Sequence, residues 1–430
     1  EPQKDLESGE WLFGRGAADM KAGGVIQMAL IEQYAKRENF KGNLVLLGLA
    51  DEENLSAGGR TAPLLLKELK EKFGLDYVLA LNGEPTDSKR GRAQPKIHVG
   101  SIGKIMPLIH AQGTLSHAGM VYDGLNPVKI MAEVVHRLDL NPAFIDEAEG
   151  VTSPAATFLY HKDEKQIYDV SLPLSASGYM SIMFLRHSPD EMMRIVRDEC
   201  VKAFDAVIEN VQKSYDAYAA VGGGQDRKLP WKTNVKLYAE LQAEALRDSG
   251  AAFTEAMKKL SAGLKKKVQK GEMNLVDASL AVVKQTLRHV KDQSPCIVIA
   301  LVPPYYPVVV NSMLGEKAAK VNEVTDRFIE RAKKQYGEDY VKYYIVGMSD
   351  LSYFMQNPAK SAQTYVEENM LLWNDLYGIP FDALEEISMP VLNVGPLGRD
   401  VHKYTERVLK KDLYERTPEL MAFTIDSMLN

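Results

Sequence analysis

The chain has 430 residues, 45% hydrophobic and 26% charged, which is material for two or three domains with sizeable cores. A formal net charge of −6, from 52 basic and 58 acidic residues, gives no electrostatic basis for binding nucleic acid or an anionic membrane. Two cysteines, Cys200 and Cys296, exclude a disulfide framework, and neither a membrane-length apolar run nor a signal peptide is visible, which together fit a cytoplasmic, reducing setting.

The first residue, Glu1, is not an initiator methionine, and polar residues 1–10 read as a loop entering from an upstream segment. Trp11–Phe13 is a short strand, and a glycine-punctuated turn over 14–24 leads into a helix to about Arg37, with Ala22, Val25, Ile26, Ala29 and Leu30 at helical spacing. The run 44–50 predicts a strand buried on both faces, 61–73 a helix and 76–82 another strand. Strands alternating with helices imply an α/β layer with a largely parallel sheet.

The texture changes near Gly100. Strands are predicted over 102–112, 155–160 and 179–185, a loop over 114–126, and two helices, one capped by Asn126 with Pro127 at its first position and one opened by Pro189. Two strands around each helix suggest a small α+β module inserted into the first domain. Residues 233–290 are helical and charge-rich, after which strands at 295–310, 341–346 and 391–394 and helices at 317–336 and 404–430 return to α/β texture. The predicted organisation is a catalytic α/β domain over 1–100 and 293–430, an inserted α+β lid over 101–220, and a helical segment over 221–292.

Three consecutive carboxylates, Asp51, Glu52 and Glu53, close the run 44–50. Like charges side by side repel, so they point either to a solvated acidic turn or to a site at a strand end. Adjacent Glu52 and Glu53 would face different ways, so that one could hold a metal while the other takes a proton from water. Asp19, Glu84 and His402 are the candidate companions. Separately they read as a helix cap, an acidic turn and a surface histidine; all stand at strand ends or turns of one α/β domain, which weakens that reading.

These stretches carry a resemblance. Gly14–Gly23 is similar to the G-R-G-x-x-D-x-K-G-G motif of the co-catalytic zinc amidohydrolases and peptidases, and Asp51–Glu53 with Gly58-Gly59 to their D-E-E…G-G. Gly83–Thr86 resembles their G-E-P-[ST], Ser116–Pro127 their lid motif S-H-A-x…G-x-N-[AP], and Gly395–Glu406 their terminal G-x-x-x-x-x-x-H-x-x-x-E. Residues 100–104, 302–307 and 347–353, with the extra helices at 225–290, look like the RocB-type arginine-utilisation branch. The resemblance implies a zinc-exopeptidase-like mixed sheet flanked by helices, with an inserted lid. It implies two zinc ions, with cobalt or manganese as substitutes: Asp19 bridging, Glu84 at one ion, Glu53 and His402 at the other. Glu52 would be the general base, and His117 would stabilise the oxyanion from the lid, across a homodimer. Arg186 and Asn126 would bind a carboxylate-bearing acyl amino acid or short peptide. Ser349 reads either as a pocket residue or as a turn or cap.

The family's first ligand, a histidine in an H-x-D motif upstream of Asp19, has no counterpart here, since all eight histidines follow Asp19. Either that segment lies upstream of Glu1 or the chain lacks one ligand. The lid motif N-V-x-P-G stands here as Asp169–Pro173. The alternative function is therefore a non-catalytic or single-metal scaffold of the same fold.

Overall fold

The computed structural model describes residues 1–87, 95–345, 347–357 and 360–429, so Val346 and Asn430, predicted to end a strand and a helix, lie outside the described residues. The chain forms two compact units, one of residues 1–102, 306–358 and 379–430, the other of 103–305 and 359–378.

The first unit is mixed α/β. One sheet orders its strands Val309–Val310, Lys96–Ser101, Val391–Asn393 and Ala80–Asn82, with Val341–Ile345 also on Lys96–Ser101. Val391 pairs in parallel with Ala80 and Val341 with Lys96, whereas Val309 pairs antiparallel with Ser101, so the sheet is mixed rather than largely parallel. A second sheet joins Trp11–Phe13, Arg407–Leu409, Leu397–Arg399 and Thr86–Asp87. Its middle is pinned by Arg407, 1% exposed, whose guanidinium meets Asp5 at 2.6 Å and Asp400 at 2.5 Å. The pairing offsets the cost of burying the charge.

The predicted strand 44–50 does not form. No ladder bonds reach residues 43–49 from the described residues, and Val45 and Leu46 are 45% and 44% exposed. A strand apolar on both faces needs two packed layers and paired neighbours, and an apolar run cannot supply them by itself. Likewise only Ala80–Asn82 of the predicted strand 76–82 pairs, while the helix predicted from 61 starts at Ala57. Helix 404–430 is shorter than predicted, because Arg407–Leu409 is a strand and regular α-helix begins at Thr417.

The second unit has a six-stranded sheet ordered Val235–Leu237, Cys296–Leu301, Pro107–Gln112, Ser175–Phe184 and Gly103–Ile105, with Thr157–Asp163 also paired to Ser175–Phe184. Helices Pro127–Leu138 and Pro189–Ala220 follow the predicted cap and proline signals. Helices Tyr238–Gln269 and Leu275–Leu287 are not a separate segment: Leu241, Ala245, Phe253 and Val283 share one core with Val298 and Ala300 of the sheet. Cys296–Leu301, predicted in the catalytic domain, also belongs to this unit, because it pairs along its whole length with Pro107–Gln112.

Candidate metal centre

The carboxylates at 51–53 sit on a tight turn rather than at a strand end. Asp51 has φ +70°, and its carbonyl accepts the amides of Asn54, Leu55 and Ser56. The next helix then starts close behind: the Gly58 amide bonds Ala50 O at 2.9 Å, and a Cβ on Gly58 would stand 2.4 Å from Ala50 N. Only glycine fits that approach. Ser56, fully buried, shares a 2.9 Å hydrogen bond with the Tyr306 hydroxyl and fixes the far side of the turn.

Asp19 follows a second turn, built around a buried carboxylate. Glu406 is 0% exposed; its Oε1 accepts the amides of Ala18 and Asp19, both at 3.1 Å, and its Oε2 accepts Arg15 Nη1 at 2.9 Å. Burial alone would raise Glu406, yet these donors together with the Gly16 amide hold it below the usual carboxylate value.

His402 brings the two turns together. Its Nε2 lies 2.9 Å from Asp19 Oδ2 and 2.7 Å from Glu53 Oε1. Ligand atoms of Asp19, Glu53 and His402 all fall within 4.8 Å of one another, the one such group among the described residues. Burial and the Glu53 charge raise the Asp19 carboxyl; burial opposes charging of His402, but Glu53 and Asp19 raise it. Two carboxylates around one imidazole make a negative pocket that a cation would neutralise.

Glu52 is not a member of this group. Burial, then the charges of Asp350, Glu53 and Asp19, push its carboxyl up to about 8. Glu84 is also pushed up to about 8, by burial and then by Glu52. Asn82 Nδ2 donates to Glu84 Oε1 at 2.9 Å and Ser349 Oγ to the same oxygen at 3.3 Å, so Oε2 receives neither bond. Asn393, held against His98 at 2.9 Å, donates to the Glu84 carbonyl at 2.9 Å, and a Cβ on Gly395 would lie 1.8 Å from that carbonyl. Ser349 is fully buried; its hydroxyl donates to Glu84 and accepts the Leu351 amide, the cap role that is one of its two readings.

His117, Asn126 and Arg186 belong to the second unit. His117 is exposed, and its Nδ1 accepts the Gly119 amide at 3.0 Å. With Nδ1 as acceptor, the proton of the neutral ring is on Nε2. Asn126 Oδ1 caps its helix by accepting Val128 N at 2.9 Å. The Arg186 side chain is 72% exposed, but its backbone is fixed: Asp146 Oδ2 accepts the amides of Leu185, Arg186 and His187 at 2.8, 2.7 and 3.0 Å. Burial would raise Asp146, yet these bonds hold it down at about 2. His110 is structural, buried against Ser177 at 2.8 Å in a chain that continues to Glu164 and Lys284. Residue patterns had assigned no role to Glu406, although it closes the last motif, and gave no sign of Asp146.

One imidazole nitrogen and two carboxylate oxygens converging in a partly exposed cluster suit a borderline divalent cation, zinc being the usual one. The sequence matches the model of Peptidase family M20/M25/M40 over residues 2–369. An uncharacterized protein, YqjN, of Bacillus subtilis (strain 168) is 31% identical over 429 residues, covering 99% of this chain and 76% of that protein. Protein RocB of the same organism is 25% identical, covering 99% and 75% respectively. Succinyl-diaminopimelate desuccinylase of Parvibaculum lavamentivorans is 31% identical over 223 residues, covering 51% of this chain and 52% of that enzyme. With its ligand cluster in the first unit and a family match along most of its length, the chain belongs to Peptidase family M20/M25/M40 and is a metal-dependent hydrolase.

Proposed function

We propose that the protein is a zinc-dependent amidohydrolase that cleaves the amide bond of an N-acylated amino acid or short peptide bearing a carboxylate, in arginine or amino-acid catabolism. The convergence of Asp19, Glu53 and His402 beside a Glu52 carboxyl raised to about 8 carries this reading. Similarity to RocB and to a succinyl-diaminopimelate desuccinylase supports the substrate class.

Asp19, Glu53 and His402 would hold one ion, and Glu84, with Oε2 turned free, would serve a second beside the shared Asp19. Bound zinc supplies Lewis acidity toward the scissile carbonyl and the attacking water. Glu52 takes the proton from that water as the new C–O bond forms. It then delivers the proton to the amide nitrogen as the C–N bond breaks, releasing a carboxylic acid and an amine. A base whose affinity for protons lies near the working pH does this best, and burial, the largest cause of its raised carboxyl, moves Glu52 in that direction. His117, with its proton on Nε2, would donate to the oxyanion, and the Arg186 guanidinium would take the substrate carboxylate in a bidentate pair. Homodimerisation through the unit carrying His117 and a cytoplasmic setting, consistent with two buried free cysteines, complete the reading.

The test is Glu52→Gln in zinc-loaded protein assayed on acylated amino acids. Turnover should fall about 10³-fold while zinc stays bound; turnover at the wild-type rate would remove Glu52 as the base.

A further inference from the structure

The residues that bind a metal must themselves be held, and one contact in the first unit does this across nearly the whole sequence. We propose that Glu406 is a positioning residue for Asp19, fixing the backbone on which that metal ligand stands. The inference rests on the reading of Asp19, Glu53 and His402 as a metal site.

Glu406 and His402 leave the same short stretch and grip Asp19 at two places. His402 Nε2 meets the Asp19 carboxylate at 2.9 Å, while Glu406 Oε1 takes the Asp19 amide and the preceding Ala18 amide at 3.1 Å each. The main-chain carbonyl of Glu406 adds a third tie, to the Gly14 amide at 3.0 Å. Next in sequence, Arg407 is buried between Asp5 and Asp400, so Glu406 starts from a fixed base. Within the Asp19 segment itself the backbone is not helical, at φ −112° and ψ 103° for Asp19, so no helix ladder holds these amides. A fully buried carboxylate is costly unless its lone pairs are filled, and here the filling donors include the metal ligand's own amide. Removing the acceptor would leave two amides unpaired and free the Asp19 carboxylate to shift from the 4.8 Å cluster it shares with Glu53 and His402. Interactions of this kind behind a ligand set metal affinity by about 10–100-fold.

The test measures zinc affinity of the full chain by competition with a chromophoric chelator, with folding checked by circular dichroism. Glu406→Ala, which removes the acceptor, should bind zinc about 10–100-fold more weakly than wild type, and its cobalt-loaded form should show an altered visible spectrum. Equal affinity and an unchanged spectrum would overturn the proposal while leaving the metal site intact. Wild-type protein that binds no zinc would overturn both the site and its positioning residue. A second measurement uses no variant: in metal-free wild type, the amide protons of Ala18 and Asp19 should exchange slowly with solvent. Exchange at the rate of an unstructured peptide would also refute the anchor.

Discussion

The two units hold their functional candidates in opposite ways. In the first, Asp19, Glu53 and His402 come from three distant segments and bring ligand atoms within 4.8 Å of one another. In the second, His117 on a bridge to Ser171 and Arg186 on a bend hold their side chains open to solvent. Beneath this difference lies one shared device. Glu406 accepts the amides of Ala18 and Asp19, and Asp146 accepts those of Leu185, Arg186 and His187. Each unit thus uses a buried carboxylate to fix a turn, because a turn outside helix or sheet leaves amide donors that need an acceptor. The lesson is that the first unit fixes both backbone and side chain around its candidate site, whereas the second fixes the backbone beside Arg186 and leaves that side chain in solvent.

The comparison can be broken most severely at Glu52. Glu52→Gln should lower kcat about 10³-fold with zinc content unchanged, measured by steady-state kinetics and metal analysis. A parallel loss of zinc would make Glu52 a ligand and erase the division of labour with Glu53.

Asp146→Asn comes next. It weakens three charge-assisted hydrogen bonds at a residue 1% exposed and should cost about 3 kcal/mol, read as a lower urea midpoint. The sign with pH follows from a carboxyl held at about 2 in the folded protein against an ordinary 3.8. Its stabilisation is complete above the ordinary value and is lost as pH falls toward 2, so acid should narrow the gap between wild type and Asp146→Asn.

Arg186→Lys should raise KM about tenfold on a carboxylate-bearing substrate and leave kcat and folding near wild type, because lysine keeps the charge but loses the planar fork. A fall in kcat with KM unchanged would put Arg186 at the reacting centre.

The smallest effect is a slope of opposite sign in the first unit. Glu52 and Glu84 stand at about 8 against an ordinary 4.5, so their contribution is fully present below the ordinary value and is lost as pH rises through 8. In chelator, the urea midpoint of wild type should therefore decline between about pH 4.5 and pH 8, and Glu84→Gln should flatten that decline.

Much of this was legible in the sequence, for reasons that can be traced. Local motifs space the candidate residues, so Asp19, Glu53 and His402, which the fold brings together, could be named from the residues around them. Helix Pro127–Leu138 announces itself through Asn126 and Pro127, and the structure uses both as predicted. Long-range pairings are silent by contrast: Glu406 meets Asp19 across 387 positions, and Asp146 meets Arg186 across 40. The apolar run 44–50 misled because burial depends on partners and not on composition, and its side chains at Val45 and Leu46 are exposed. Ser349 was legible as a cap, but its hydroxyl on Glu84, 265 positions away in sequence, was not.

The most direct test of the central claim is zinc affinity at the ligand that joins the two turns. Titration of wild type and His402→Ala against a competing chelator should show tight binding in the first and at least about 100-fold weaker binding in the second, with both proteins folded. Equal affinities would mean that Asp19, Glu53 and His402 do not form the metal centre.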